Sequence, residues 1–372
     1  MKKILGLVAS LILLTSCAPA PVVVYPATET ALPSDVTSTP DQSTTDISLP
    51  AAYGVRGPWY ELYFTNPSSP LASQHTGGAD GPLVAAIDAA RLSVDAAIYS
   101  LSLDSVRNAL IRARDRGVLV RVVMESDNRD RSDPQKLVDA GIPVLGDRRE
   151  GLMHNKFIVI DNSEVWTGSM NFTDSGTYED DNNLMRIHSV KMAEDYTTEF
   201  NEMFVDDKFG TDTMAATPNP RVTIDGTPID VYFSPDDNIA ANLLDLLNNA
   251  EESIYFMAYS FTSDPLAEAI RARAEEGVTV KGVMDAGQIK SNIGTEFDPF
   301  RQAGIDVRAD GIPGLLHHKV IIIDEQIVVT GSYNFTNSAE TRNDENLLVI
   351  YDPFIASQYL AEFQRVFALA TK

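Results

Sequence analysis

Short apolar runs and amphipathic stretches alternate along this chain, and they do so twice. Residues 94–99 and 254–259 are β-like runs. Each is followed by an acid or Ser suited to a helix start (Asp104; Ser263-Asp264-Pro265) and by apolar positions at helical spacing. Gly117 and Gly277 then provide the stops. VLVRVVM (118–124) and VTVKGVM (278–284) return to strand character, whereas FIVID (157–161) and VIIID (320–324) are almost wholly apolar. An uninterrupted run of that kind marks a strand covered on both faces. Helices at about 190–204 and 354–369 close each unit and would cover the sheet.

The correspondence extends beyond pattern to sequence. YELYFTNP (60–67) recurs as IDVYFSP (229–235), and residues 93–125 recur at 253–285 with an offset of 160. MHNKFIVIDNSEVWTGSMNFT (153–173) recurs as LHHKVIIIDEQIVVTGSYNFT (316–336) with an offset of 163. A unit this long exceeds a solenoid repeat and suits a duplicated half-domain. Alternating strands and helices with buried runs predict an α/β layer fold. The first lobe is expected at 58–205, a connector at 206–228 and the second lobe at 229–370.

The first 50 residues do not share this pattern. Lys2 and Lys3 precede an apolar run at 4–14, too short to span a bilayer, so 1–16 reads as an export signal. It ends in Leu14-Thr15-Ser16-Cys17, which resembles the bacterial lipobox, whose Cys is acylated and becomes the new N-terminus. That resemblance implies a membrane-anchored lipoprotein facing away from the cytoplasm. Residues 17–50 are then the acylated Cys and a tether, with six prolines, four acids and no Lys or Arg in 18–50.

Charge narrows the partners. With 29 Lys+Arg against 53 Asp+Glu the chain carries −24 over 372 residues. Proteins that grip nucleic acid by releasing phosphate counterions are normally basic. The single Cys rules out an internal disulfide and a Cys-rich zinc site.

Candidate chemistry sits in the repeated His-x-Lys-x4-Asp. The first copy is His154, Lys156 and Asp161, followed by Gly168, Ser169 and Asn171; the second is His317, Lys319 and Asp324, followed by Gly331, Ser332 and Asn334. Residues two apart on a strand share a face, so each His and its Lys are expected to point into one space. Two ammonium groups can hold a phosphate, and two imidazoles can act as nucleophile and general acid. Ser169, Ser332, Asn171 and Asn334 would add hydrogen bonds to the same oxygens. His318 is expected to face away from the site, and His75 and His188 to be solvated.

These two motifs, with the downstream G-S-x-N, resemble the HxKxxxxD signature of the phospholipase D superfamily, and the resemblance covers about 58–370. It implies two α-β-α sandwich lobes related by a pseudo-two-fold axis, an active site at their interface and a covalent phosphohistidine. It also implies no metal or cofactor, and structural rather than proton-carrying roles for Asp161 and Asp324. Both half-sites lie in one chain, so a monomer is expected.

One asymmetry stands out. Glu345 lies 28 residues after His317, while the same step from His154 reaches Asn182. In the family a carboxylate here often orients the His of the other lobe. Crossed pairing would give Glu345 to His154 and only an amide to His317, favouring His154 as nucleophile and His317 as acid. A small register shift would instead bring Asp180 or Asp181 to His317. Substrate is the open question. A lipid phosphodiesterase suits the anchor and the acidic charge, a membrane-anchored or secreted nuclease suits the GSxNFT context, and a vestigial binding protein conflicts with two intact His–Lys pairs.

Overall fold

The computed structural model describes residues 44–371, which belong to one compact unit. The signal at 1–16, Cys17 and the tether up to residue 43 lie outside the described residues. The first sheet has nine strands, β1 (Thr45–Leu49), β2 (Ala52–Arg56), β3 (Tyr60–Thr65), β4 (Ser93–Ile98), β5 (Leu119–Met124), β6 (Val144–Gly146), β7 (Lys156–Ile160), β8 (Glu164–Gly168) and β9 (Asn183–His188). The second has eight, β10 (Arg221–Ile224), β11 (Thr227–Ser234), β12 (Ser253–Ala258), β13 (Thr279–Met284), β14 (Asp306–Ala309), β15 (Lys319–Ile323), β16 (Ile327–Gly331) and β17 (Glu345–Tyr351).

Their orders are β1-β2-β3-β9-β8-β7-β4-β5-β6 and β10-β11-β17-β16-β15-β12-β13-β14. Apart from β1, every strand of one sheet has its counterpart at the same place in the other. The helices pair likewise: α1 (Asp80–Ala89) with α7 (Ile239–Asn248), and α2 (Asp104–Asp115) with α8 (Asp264–Glu275). The short α3 (Ser126–Arg129), α4 (Ser132–Asp139) and α5 (Asp174–Tyr178) correspond to α9 (Ala286–Ser291), α10 (Phe297–Gln302) and α11 (Asn337–Thr341). The closing helices are α6 (Val190–Phe204) and α12 (Pro353–Leu369). The molecule is therefore an α/β fold of two duplicated lobes.

The apolar strand runs are explained by which core each residue enters. In β7, Phe157 and Val159 join a central cluster while Ile158 and Ile160 join the outer core of the first lobe. In β15, Val320 and Ile322 are central and Ile321 and Ile323 are outer. Side chains alternate across a strand, so a strand with a core on each side must be apolar throughout. The central cluster takes Tyr196 and Phe200 from α6 and Tyr359 and Phe363 from α12, together with residues of both sheets. The closing helices thus form a layer shared by the two lobes.

Two expected boundaries move. Residues 45–50 are not tether: β1 pairs antiparallel with β2, β2 pairs with β3, and Ala51, Ala52 and Val55 are buried. Ile47 and Leu49 pack on the outer core of the first lobe, so the first lobe begins before residue 58. Proline density masked this strand, because a proline beside a strand is allowed at a sheet edge. Similarly β10, inside the expected connector at 206–228, is the edge strand of the second sheet.

This placement makes a prediction. A chain starting at residue 58 should unfold several degrees below one starting at residue 44, because the lost strand pair buries Val55 and its neighbours, worth about 2 kcal/mol or more. Equal melting temperatures by circular dichroism would return 45–50 to the tether.

Candidate active site

Each His–Lys pair stands at the start of a central strand. Lys156 and Lys319 are the first residues of β7 and β15, and each His lies just before its strand, in the segment that crosses to the other lobe. The His154 N–H donates to the Asp344 carbonyl at 3.0 Å, and the His317 N–H donates to the Asp181 carbonyl at 2.9 Å. Met153 bridges to Asp344 and Leu316 to Asp181. Both His154 and His317 are therefore fixed by backbone from the opposite lobe.

Side chains repeat the crossing. His154 Nδ1 lies 2.6 Å from Glu345 Oε2, and His317 Nδ1 lies 2.9 Å from Asn182 Oδ1. The Asn182 amide donates to the Gly176 carbonyl at 2.9 Å, which turns its oxygen toward His317. Nδ1 of His317 is accordingly the protonated nitrogen, and Nε2 faces the site in both rings. Neither Asp180 nor Asp181 fills this position. Asp180 Oδ1 accepts from the Leu315 N–H at 2.9 Å, and Asp181 pairs with Arg365 at 2.5 Å.

Lys156 Nζ donates to the His154 carbonyl at 2.6 Å and lies 4.8 Å from the Tyr99 ring centre. Lys319 donates to the His317 carbonyl at 2.7 Å and lies 4.8 Å from the Tyr259 ring centre. Tyr99 and Tyr259 also meet His154 and His317 edge-on, at 4.7 and 4.8 Å. These tyrosines line the site although only their strand character was read from sequence. Their equivalence in the duplication, 99 with 259, was the available signal.

The serines do not face the site. Gly168 and Gly331 have φ of 152° and 149°, and a Cβ on either would lie 2.4 or 2.3 Å from the Asn183 or Asn346 carbonyl. That close approach places Ser169 and Ser332 against β9 and β17, fully buried. Ser169 donates to Asn182 Oδ1 at 2.9 Å and accepts from the Asn183 N–H; Ser332 accepts from the Asn346 N–H at 3.0 Å and hydrogen-bonds Glu345. They hold the groups behind the histidines, which corrects their expected place around phosphate oxygens. Asn171 and Asn334 differ: Oδ1 of each is buried without a partner among the described residues.

Asp161 and Asp324 sit at the far ends of their strands. Asp161 accepts from the N–H groups of Arg91, Leu92 and Ser93, and Asp324 from those of Glu251, Glu252 and Ser253. They tie the central strand to the start of its neighbour. His318 points away, lying 3.0 Å from Glu362 and 3.2 Å from Asn183. His75 stacks on Tyr178, and His188 lies 3.5 Å from Glu164. Among the described residues no three His, Cys, Asp or Glu side chains are arranged to hold a metal ion.

Burial dominates the site's electrostatics. It lowers His154 to about 4 against the pull of Glu345, and lowers Lys156 to about 7. Burial and the nearby lysines hold His317 well below the usual histidine range, and burial with Lys156 does the same to Lys319. Burial would raise Glu345, but His154 and Lys156 keep it below the ordinary carboxylate value. The resting site thus favours neutral imidazoles, and an anion placed among these groups would raise them all.

A family model described as "Cardiolipin synthase, PLD-like domain" matches residues 83–204 and 243–367. A phospholipase D of Rickettsia typhi is 38% identical over 132 residues, 36% of this chain and 64% of that protein. Human mitochondrial cardiolipin hydrolase is 35% identical over 130 residues, 35% of this chain and 51% of that protein. The chain therefore spans just under two thirds of the first relative and about half of the second. The solved structure of phosphatidylserine synthase from Haemophilus influenzae shares the fold, with a TM-score of 0.62 at 13% identity over 83% of this chain and 86% of that one.

The crossed pairing can be tested by titration. Asn182→Asp places a carboxylate against His317 and should raise its pKa by about 1–3 units, while Glu345→Gln should push His154 still lower. Nitrogen-15 NMR of labelled histidines reads both, and an unmoved His317 in Asn182→Asp would break the assignment.

Proposed function

The chain belongs to the phospholipase D-like family, and on that basis we propose that it is a phosphodiesterase cleaving phospholipid head groups through a phosphohistidine. One observation carries this reading. Two His–Lys pairs converge, each imidazole held at Nδ1 from the opposite lobe, with Nε2 of both unengaged among the described residues.

The roles follow from the unequal supports. His154 Nε2 attacks phosphorus, and its developing positive charge is balanced by Glu345 across the 2.6 Å contact. The P–O bond to the head-group alcohol breaks, and His317 Nε2–H delivers the proton to the leaving oxygen. His317 rests on an amide, so it holds its proton only when an anion is bound beside it. The same ring then takes a proton from water, which attacks the phosphohistidine and releases phosphatidic acid. Lys156, Lys319 and the Asn171 and Asn334 amides hold the non-bridging oxygens, since a flipped amide presents its NH2 to an anion.

The lipid substrate is favoured by Cys17, whose lipobox context would anchor the domain beside a bilayer, and by the net charge of −24. A nuclease would have to overcome that charge with local basic groups. No described helix is long and apolar enough to cross a membrane.

Two experiments test this. His154→Ala should leave no phosphoenzyme after acid quenching. His317→Ala should lose about 10²–10⁴-fold in kcat on a phospholipid and much less on an ester with an acidic leaving group. Labelling of the His154 variant alone would reverse the assignment. A phosphohistidine also yields to small alcohols, so phosphatidylcholine with ethanol should give phosphatidylethanol. Salt-sensitive cleavage of plasmid or single-stranded DNA, with no choline released, would favour the nuclease.

A further inference from the structure

The duplication lets each lobe serve as a control for the other, and the two differ most at the mouth of the site. Two loops form the mouth in each lobe. In the first lobe they are 125–132, strapped to the site where Asn128 Nδ2 donates to the Tyr99 carbonyl at 2.7 Å, and 147–152. In the second they are 285–296 and 310–315. There Gln288 Nε2 donates to the Tyr259 hydroxyl at 3.0 Å and Asn292 Nδ2 to Ser260 Oγ at 2.8 Å. The two second-lobe loops are joined by Ala286 N–H donating to Asp310 and Leu316 N–H donating to Asp285. Each lobe therefore frames its own His and Tyr with an equivalent backbone.

The chemistry on those frames is opposite. Residues 125–131 read ESDNRDR, whereas 285–291 read DAGQIKS; residues 147–152 read DRREGL, whereas 310–315 read DGIPGL. Ile289 replaces Arg129, Ile312 replaces Arg149, and Lys290 is the one cation left in the second pair of loops. A turn at Ile293-Gly294, with Gly294 at φ +76°, raises Ile293 to 98% exposure, and Leu315 is 37% exposed two residues before His317. An isolated exposed aliphatic residue needs no explanation, but Ile293 and Leu315, with the half-buried Ile312, all lie on the two loops that frame Tyr259 and His317. Across the mouth Arg131 is exposed and makes no side-chain hydrogen bond or ion pair among the described residues. Its charge opposes the burial and Glu125 that raise Tyr99.

We propose that this mouth is a phospholipid-docking surface: Ile293, Ile312 and Leu315 enter the acyl region, and Arg131 holds a neighbouring head-group phosphate. The inference rests on the lipid reading of the same site, and it names how that substrate is presented. An aliphatic edge with a facing cation is the chemistry of a peripheral interface, where buried apolar area and phosphate attraction add.

The test uses a chain beginning at residue 42, the compact unit, so that no acyl group or signal segment contributes. Ile293→Asp should weaken binding to phosphatidylcholine–phosphatidylglycerol vesicles about tenfold or more. It should leave hydrolysis of the soluble diester bis-p-nitrophenyl phosphate unchanged. Ile293→Trp should show a blue shift in emission on adding vesicles, readable because Trp59 and Trp166 are buried. Vesicle binding unaltered by Ile293→Asp, or an unshifted Ile293→Trp, overturns the docking surface. Arg131-dependent binding of single-stranded DNA without vesicle binding also overturns it. Vesicle binding through Ile293 with soluble diester cleaved but phospholipid untouched would support the surface and remove the lipid substrate reading.

Discussion

The exchange of supports between lobes is the constraint on which the site depends. Nδ1 and the backbone N–H of each site histidine are held from the other half: His154 leans on Glu345 and the Asp344 carbonyl, and His317 on Asn182 and the Asp181 carbonyl. A single lobe would carry the residues without their orientation. The lobes must therefore be locked, and the central core does so by burying α6, α12 and faces of both sheets together. Arg365 adds a polar lock, bridging Glu362 of its own helix to Asp181 of the first lobe, with Tyr53 from β2 also on Glu362. Burial would raise Glu362, but Arg365 and His318 hold it near 2. That contribution is complete above the ordinary glutamate pKa and is lost only as pH falls toward 2.

The same burial that locks the lobes sets the chemistry. Two imidazoles and two ammonium groups share a space with one carboxylate, Glu345, inside a protein whose surface is strongly acidic. Desolvation answers by lowering all four cationic groups. An anion bound among them would supply the missing negative charge and favour their protonated forms.

Duplication produced two near-equal half-sites that have since diverged. The change between Glu345 and Asn182 separates two otherwise equivalent imidazoles. A second divergence separates a charged rim from an aliphatic one. Behind the site the pairing persists with altered partners. Asn155 meets Asn346 where His318 meets Asn183, and Glu199 stands where Glu362 stands. Among the described residues no cation faces Glu199, and burial holds it well above the usual range.

The sequence alone determined the repeat, the alternation of strands and helices, the two His–Lys pairs and the 28-residue step that separates Glu345 from Asn182. These were legible because they are local or periodic: a strand between two cores must be apolar, and a duplicated motif repeats at a fixed offset. Three matters needed the tertiary structure. The edge strand at 45–49 was hidden because its stability comes from pairing with β2 rather than from its own Pro- and Thr-rich context. The serines were misplaced because a close backbone approach at Gly168 and Gly331, visible only across strands, turns them inward. The tyrosines at 99 and 259 joined the site because β4 and β12 end beside β7 and β15, a neighbour relation set by sheet order and not by chain order.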